Sequence, residues 1–155
     1  MTTTTESQRE FVRQVQDLEE LLAGGASFFA EGQMPGGFDS EAFIKSWAHL
    51  IDTEIGCVFG LYGEDGVIHG ALGGILAPDI FNGHTVAIEA FWYVLPEHRG
   101  SGAIRLVKAY EDWARSRGAR RVSMVHLLNL QPGRLGDLYV RLGYRAVETN
   151  YIKDL

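Results

Sequence analysis

Hydrophobic positions along the chain follow two periods, and the change from one to the other falls near the middle. Across residues 85–95, Ala87, Phe91, Tyr93 and Leu95 take one set of alternate positions, and Val86, Ile88, Ala90, Trp92 and Val94 take the other. Both faces of an extended segment are then apolar, which predicts a central strand covered on two sides. Glu89 is its only charge. After Pro96-Glu97-His98-Arg99-Gly100-Ser101-Gly102 the period becomes helical. Leu106, Val107, Tyr110, Trp113 and Ala114 share one face, Arg105, Lys108, Glu111, Asp112 and Arg115 the other, and Gly118 ends the helix.

The rest of the chain is placed around this unit. Phe11, Val15, Leu18 and Leu22 recur at helical spacing behind a capping box, Ser7 with Glu10, so a first helix is expected there, interrupted by Gly24 and Gly25. Residues 26–37 are glycine-rich and partly aromatic, with Phe28, Phe29 and Met34. Asp39 reads as the cap of a second helix whose buried stripe is Phe43, Trp47, Leu50 and Ile51, with Phe38 and Phe43 placed as a hydrophobic staple. Residues 57–62 and 67–76 read as antiparallel strands joined by the turn Gly63-Glu64-Asp65-Gly66. Gly70, Gly73 and Gly74 in the second strand predict bulges or a close backbone approach. A loop or short helix over residues 79–83 leads into the central strand.

Beyond the helix, residues 121–128 predict another strand. Pro132 opens a short helix carrying Leu135, Leu138, Tyr139 and Leu142, Gly143 closes it, and residues 144–152 are expected to finish the sheet. This order of helices and strands is mixed α/β, in one domain over residues 1–155.

Composition narrows the function classes. With 155 residues, 46% hydrophobic and 22% charged, the chain is long enough for a substantial core and is not a disordered one. Twenty acidic residues against fourteen basic give a formal charge of -6, which offers no general attraction to nucleic acid and mildly favours a cationic substrate. Cys57 is the single cysteine, so intramolecular disulfides and cysteine-cluster metal sites are excluded and a cytoplasmic setting is expected. No run has the length of a membrane span. His49, His69, His84, His98 and His126 are scattered through the sequence, so no metal site is expected.

A strand, a glycine turn and an amphipathic helix suit an anion, because the first amide N–H groups of a helix lack intrahelical partners and two glycines free the turn's backbone. The segment Val94-Leu95-Pro96-Glu97-His98-Arg99-Gly100-Ser101-Gly102 goes further. It resembles the cofactor motif of the GNAT superfamily of acyl-CoA-dependent N-acyltransferases, although Ile104 stands where the family normally has glycine or alanine. Leu138-Tyr139-Val140-Arg141-Leu142-Gly143-Tyr144 is similar to the same family's downstream signature, with tyrosine in place of phenylalanine. The resemblance extends over residues 55–152. It implies a mostly antiparallel sheet of about six strands flanked by about four helices. It also implies acetyl-CoA as cosubstrate, an amine-bearing acceptor and, since such proteins often dimerise, an expected homodimer. The family's fold usually begins with a short strand, for which the sequence before the first expected helix leaves no room.

Site residues follow from the same resemblance. The main chain of Tyr93, Val94 and Leu95 would bind the pantetheine arm in a slot beside the bulged central strand. Arg99, Gly100, Ser101, Gly102, Ala103 and Ile104 would cradle the diphosphate, and Asn129 would touch the pantetheine. Tyr139 takes the family's position for the acid that protonates the leaving thiolate, and the N–H near Val94 that of the oxyanion donor. Glu89 is the first candidate for proton acceptor on physical grounds, because a carboxylate in so apolar a strand is costly and desolvation raises its proton affinity. The alternative is a structural ion pair with an arginine, or exposure near the strand end. His126 would relay the proton or bind the acceptor, or would be a hydrogen-bonded core residue. Phe28, Phe29, Met34 and Trp47 would line the acceptor site or pack in the core. The expectation is therefore an N-acetyltransferase. The alternatives are a non-catalytic acyl-CoA-binding or protein-interaction module, and a nucleotide-binding regulator.

Overall fold

The computed structural model describes residues 9–125 and 134–155. The chain divides into two units, residues 1–125 and residues 126–155. In the first, five strands form one sheet in the order β1 (Phe11–Gln14), β2 (Gly56–Tyr62), β3 (Ile68–Pro78), β4 (Thr85–Val94) and β5 (Val122–Ser123). The first four pair antiparallel, and β5 pairs parallel to β4. Among the described residues this unit holds three α-helices: α1 (Leu22–Gly32), α2 (Ser40–Asp52) and α3 (Ser101–Ser116). The second unit holds α4 (Arg134–Arg141), closed by Gly143 at φ 91°. The fold class is mixed α/β as expected, with five strands and four α-helices among the described residues.

The N-terminal segment departs from its sequence pattern. Phe11, Val15, Leu18 and Leu22 predict a helix, yet Phe11–Gln14 is a strand paired with β2, and Val15 N–H continues the ladder to Val58 O at 2.9 Å. The free edge of β2 decides the matter: over so short a run, pairing with a neighbouring strand outweighs local preference. Phe11 lies 45% exposed, its ring 6.0 Å from that of Tyr62. Leu18–Leu21 is a single 3-10 turn, opened by Asp17, whose carboxylate accepts from Glu19 N–H at 3.0 Å. Gly24 and Gly25 do not break a helix but lie inside α1. A Cβ on Gly24 would stand 2.2 Å from the Tyr93 hydroxyl, so the absence of a side chain lets α1 lie against β4.

The second helix follows its sequence signals. Asp39 caps it through Ala42 N–H at 2.9 Å, and the Phe38 and Phe43 rings meet at 5.3 Å. Trp47 sits in the core with Val15, Leu21, Val58, Ala71, Phe91 and Tyr93. On the other side of the sheet α3 buries Leu106, Val107, Tyr110, Trp113 and Ala114, and each of these leucine and valine side chains contributes about 1.5–3 kcal/mol by leaving water. Adjacent glycines of β3 serve the two layers: a Cβ on Gly73 would meet Phe91 and Trp47, and one on Gly74 would meet Tyr110 and Trp113. The expected close approach is therefore present on both faces.

Two further expectations change. The strand expected over residues 121–128 is assigned only at Val122–Ser123, and residues 126–133 lie outside those described. No strand is assigned over residues 144–152, and Val147, Tyr151 and Ile152 are exposed. Arg145, Glu148, Thr149 and Asn150 leave the segment little apolar face for a strand to bury.

Candidate functional site

The central strand β4 is irregular where its sequence is most apolar. Gly73 pairs with Phe91 and Gly74 with Glu89, so Ala90 is an extra residue with no partner on β3. Such a bulge bends the strand and resets the alternation of its side chains. The expectation of burial on both faces fails here, since Ile88 and Ala90 are exposed on either side of the buried Glu89.

The opposite edge of β4 is paired for only two residues, Ala87 with Val122 and Ile88 with Ser123. From Glu89 onward no strand among the described residues covers that edge. Leu95 N–H donates to His69 O at 2.8 Å. Because main-chain groups of an antiparallel ladder point alternately toward and away from the partner, Leu95 and Tyr93 face β3 and Val94 faces the open edge. Of the three residues expected to offer main-chain groups there, Val94 alone does so. Its carbonyl accepts from Arg99 Nε at 2.9 Å, which leaves its N–H as the group presented.

Glu89 is 5% exposed, and its carboxylate accepts from Val125 N–H at 2.8 Å. Burial pushes its carboxyl up to about 7, against the smaller opposing effect of that hydrogen bond. No arginine or lysine among the described residues forms an ion pair with it, and it is not exposed, so neither alternative reading of this carboxylate is met. The Tyr93 side chain lies in the core. Its hydroxyl is buried with no hydrogen-bond partner among the described residues, and desolvation pushes it up to about 12.

Past β4, Pro96–His98 is a 3-10 turn, and Gly100 precedes α3 with no side chain capping the helix. Ala103 N–H bonds back to Gly100 O at 3.1 Å. The N–H groups of Ser101 and Gly102 come at the uncapped start of the helix, where main-chain donors attract an anion. The two glycines serve differently from expectation. Gly100 has φ 175°, extended backbone open to any residue, and a Cβ there would meet nothing within 4 Å. Gly102 is needed for proximity: a Cβ would stand 2.6 Å from Leu61 Cδ2. Ile104 is half-buried. The Arg99 guanidinium is committed elsewhere, with Nη2 2.8 Å from each carboxylate oxygen of Glu31 on α1. Cationic charge in the turn is therefore already balanced, and the turn's offer to an anion is chiefly main-chain.

In the second unit, Tyr139 is buried on α4 with its ring 5.7 Å from that of Tyr144, and Tyr144 N–H caps the helix through Tyr139 O at 2.9 Å. His126 and Asn129 lie outside the described residues. Of the residues expected to line an acceptor site, Trp47 is core, whereas Phe28, Phe29 and Met34 are half-buried.

Two features were not visible in the sequence. The histidines are not all scattered: Glu10, His69 and His98 converge, with donor atoms within 4.8 Å of one another. Nothing in their spacing could have signalled it, since each comes from a different element. A concavity of about 190 Å3 also opens among Gln14, Ile51, Cys57 and Arg117, away from Glu89 and the 99–104 turn. Burial pushes the Cys57 thiol there up to about 11, so it is a poor nucleophile at neutral pH.

The sequence model of the acetyltransferase (GNAT) family matches residues 17–144. Among solved structures, the chain is similar to aminoglycoside N-acetyltransferase AAC(6')-Iy in complex with CoA, with TM-score 0.73 and 20% identity over 97% of each chain. It is also similar to glucosamine-6-phosphate N-acetyltransferase from Arabidopsis thaliana, with TM-score 0.71 and 13% identity over 95% of this chain and 99% of that one. A third is the ribosomal-protein-alanine N-acetyltransferase from Brucella melitensis biovar Abortus 2308, with TM-score 0.71 and 20% identity over 95% and 99%. At these identities the likeness is one of fold. A search of curated proteins finds no match.

Proposed function

The chain belongs to the acetyltransferase (GNAT) family, and from that premise we propose that it transfers an acetyl group from acetyl-CoA to a primary amine by direct attack in a ternary complex. The observation that carries this reading is the edge of β4, unpaired from Glu89 onward among the described residues and followed at once by the uncapped N-terminus of α3. An extended pantetheine arm pairs with such an edge as a strand would, and a diphosphate suits such a helix start. The site is assigned to Val94 and residues 99–104, with Tyr93 and Leu95 shaping the strand and Asn129 contacting the arm.

The amine nitrogen attacks the thioester carbonyl carbon, forming the C–N bond and a tetrahedral oxyanion that Val94 N–H stabilises. Glu89 takes the amine proton, directly or through water, with His126 as relay. The C–S bond then breaks and Tyr139 protonates the departing thiolate. Glu89 supports its role by being buried, without an ion-pair partner among the described residues, and half-ionised near neutral pH. The negative formal charge favours a cationic acceptor. A single catalytic domain, a cytoplasmic setting and a homodimer complete the proposal. Among the described residues no helix is long and apolar enough to cross a membrane.

The test is thiol release from acetyl-CoA across an amine panel. Cys57 is expected to stay silent toward the thiol reagent in the folded protein and to react stoichiometrically once unfolded, which is checked by titration without acetyl-CoA. Tyr139→Phe is expected to slow turnover by about 10²-fold or more, the lower range for a general acid. One observation favours a second reading, a non-catalytic acyl-CoA-binding module: Glu31 holds the guanidinium of Arg99, the motif's one cation. CoA binding with no thiol release for any amine, and no effect of Tyr139→Phe, would establish the module instead.

A further inference from the structure

We propose that Glu10, His69 and His98 bind one divalent transition-metal cation, of the borderline class to which zinc belongs, beneath the turn that leads into α3. This inference does not depend on the acetyl-transfer reading, and none of the three ligands belongs to that reading.

The three side chains come from separate elements: Glu10 immediately before β1, His69 on β3, His98 in the Pro96–His98 turn. Their donor atoms all lie within 4.8 Å of one another. His69 is 4% exposed, and its Nδ1 lies 2.6 Å from Glu10 Oε2. The His98 ring stacks on the His69 ring at 3.5 Å between centroids and 6° between planes. Two imidazoles and a carboxylate make a nitrogen and oxygen ligand set suited to zinc, cobalt or nickel rather than to calcium or magnesium. Three protein ligands with a fourth position left for water is a common zinc arrangement.

The spacing closes with little movement. A tetrahedral zinc with bonds of about 2.0 Å needs donors roughly 3.3 Å apart. His69 and Glu10 already meet at less than that. His98 is half-buried, so its ring is the one with room to turn out of the stack and aim a nitrogen at the same point. The backbone carrying the ligands is pinned from outside: Arg105 Nη1 donates to Glu10 O at 2.6 Å, and Leu95 N–H donates to His69 O at 2.8 Å. Outer partners that fix ligand-bearing groups are a regular part of metal sites. A bound cation would tie the segment before β1 to the turn between β4 and α3.

The test uses the full, untagged chain, stripped with a chelator and dialysed. Co2+ is titrated while the visible d–d bands are followed, and Zn2+ is titrated by calorimetry and by melting temperature. One ion per chain, tetrahedral cobalt bands and a melting temperature raised by zinc are expected. His98→Ala alters a half-buried side chain and is expected to fold, which circular dichroism checks. It should weaken binding by more than about 100-fold, beyond what outer-shell changes cause. Glu10→Gln should do the same, and His84→Ala, at an exposed histidine, should not. If the stripped protein takes up no stoichiometric ion, or if His98→Ala binds as the parent does, the cluster is a metal-free hydrogen-bonded stack and the proposal is overturned.

Discussion

Glu89→Gln is expected to lower kcat for acetyl transfer by about 10²–10⁴-fold, the contribution of a positioned general base. The amide keeps the volume and can still accept the hydrogen bond from Val125 N–H, so lost rate reports lost basicity rather than lost packing. The pH profile gives the sharper form of the test. Burial holds the Glu89 carboxyl at about 7, and only its ionised form accepts a proton. The kcat/KM of the parent should therefore rise about tenfold per pH unit on the acid side and level off above about 7, whereas the variant should lack that limb. A variant that retains both rate and limb would remove Glu89 from the chemistry.

The same carboxyl links to stability with a definite sign. Its folded value lies above that of an ordinary glutamate, so the native state binds a proton that the unfolded chain has already released. The resulting stability is present in full below the ordinary carboxyl range and is lost as pH rises through about 7. The size is on the order of 3 kcal/mol, from a shift of between two and three pH units. Chemical denaturation between pH 5 and 8 should show this loss in the parent and a flatter profile in Glu89→Gln. For this group alone, low pH favours the folded state while the proposed reaction needs high pH, as expected where a functional group is held at a cost to stability.

The second large effect concerns the sheet. Gly70→Ala is expected to destabilise by about 1–3 kcal/mol, a melting temperature lower by about 2–12 °C in a chain this size. Its Cβ would stand 2.7 Å from Tyr93 O and 3.0 Å from Val94 Cα. These are backbone atoms, which no rotamer change can move, so β3 and β4 must part beside the open edge and CoA affinity should fall with stability. Gly100→Ala is the contrasting case. Its Cβ points into open space and its backbone is extended, so stability should stay within about 0.5 kcal/mol. Thermal melts of both variants decide it. Equal destabilisation would contradict this placement of the two glycines.

What the sequence disclosed was mostly local. The Asp39 cap, the Phe38 and Phe43 pair, the helical stripe of α3 and the run from Val94 to Gly102 are each written in a few adjacent residues. The cap, the aromatic pair and the stripe stand in the structure, and the run from Val94 leads from strand through turn into helix as its residues indicate. What it concealed depends on partners distant in the chain. Phe11 to Val15 satisfies a helical period and a strand period alike, and the free edge of β2 chooses between them. A bulge in the central strand is implied by the family resemblance, but its place at Ala90 is a mismatch between two strands, which no reading of β4 alone locates. Arg99 stands among the residues expected to cradle a diphosphate, yet its guanidinium is held by Glu31 of α1. Glu10, His69 and His98 meet only because three elements cross. Residues 144–152 err in the other direction: a strand is expected there and none is assigned.

The most direct test of the central claim is a crystal structure of the chain soaked with CoA. The account predicts a pantetheine arm running beside β4 with one of its amides paired to Val94, and a diphosphate within hydrogen-bond reach of the Ser101 and Gly102 N–H groups. Electron density for CoA elsewhere, or a diphosphate held by side chains with those N–H groups unused, would contradict it.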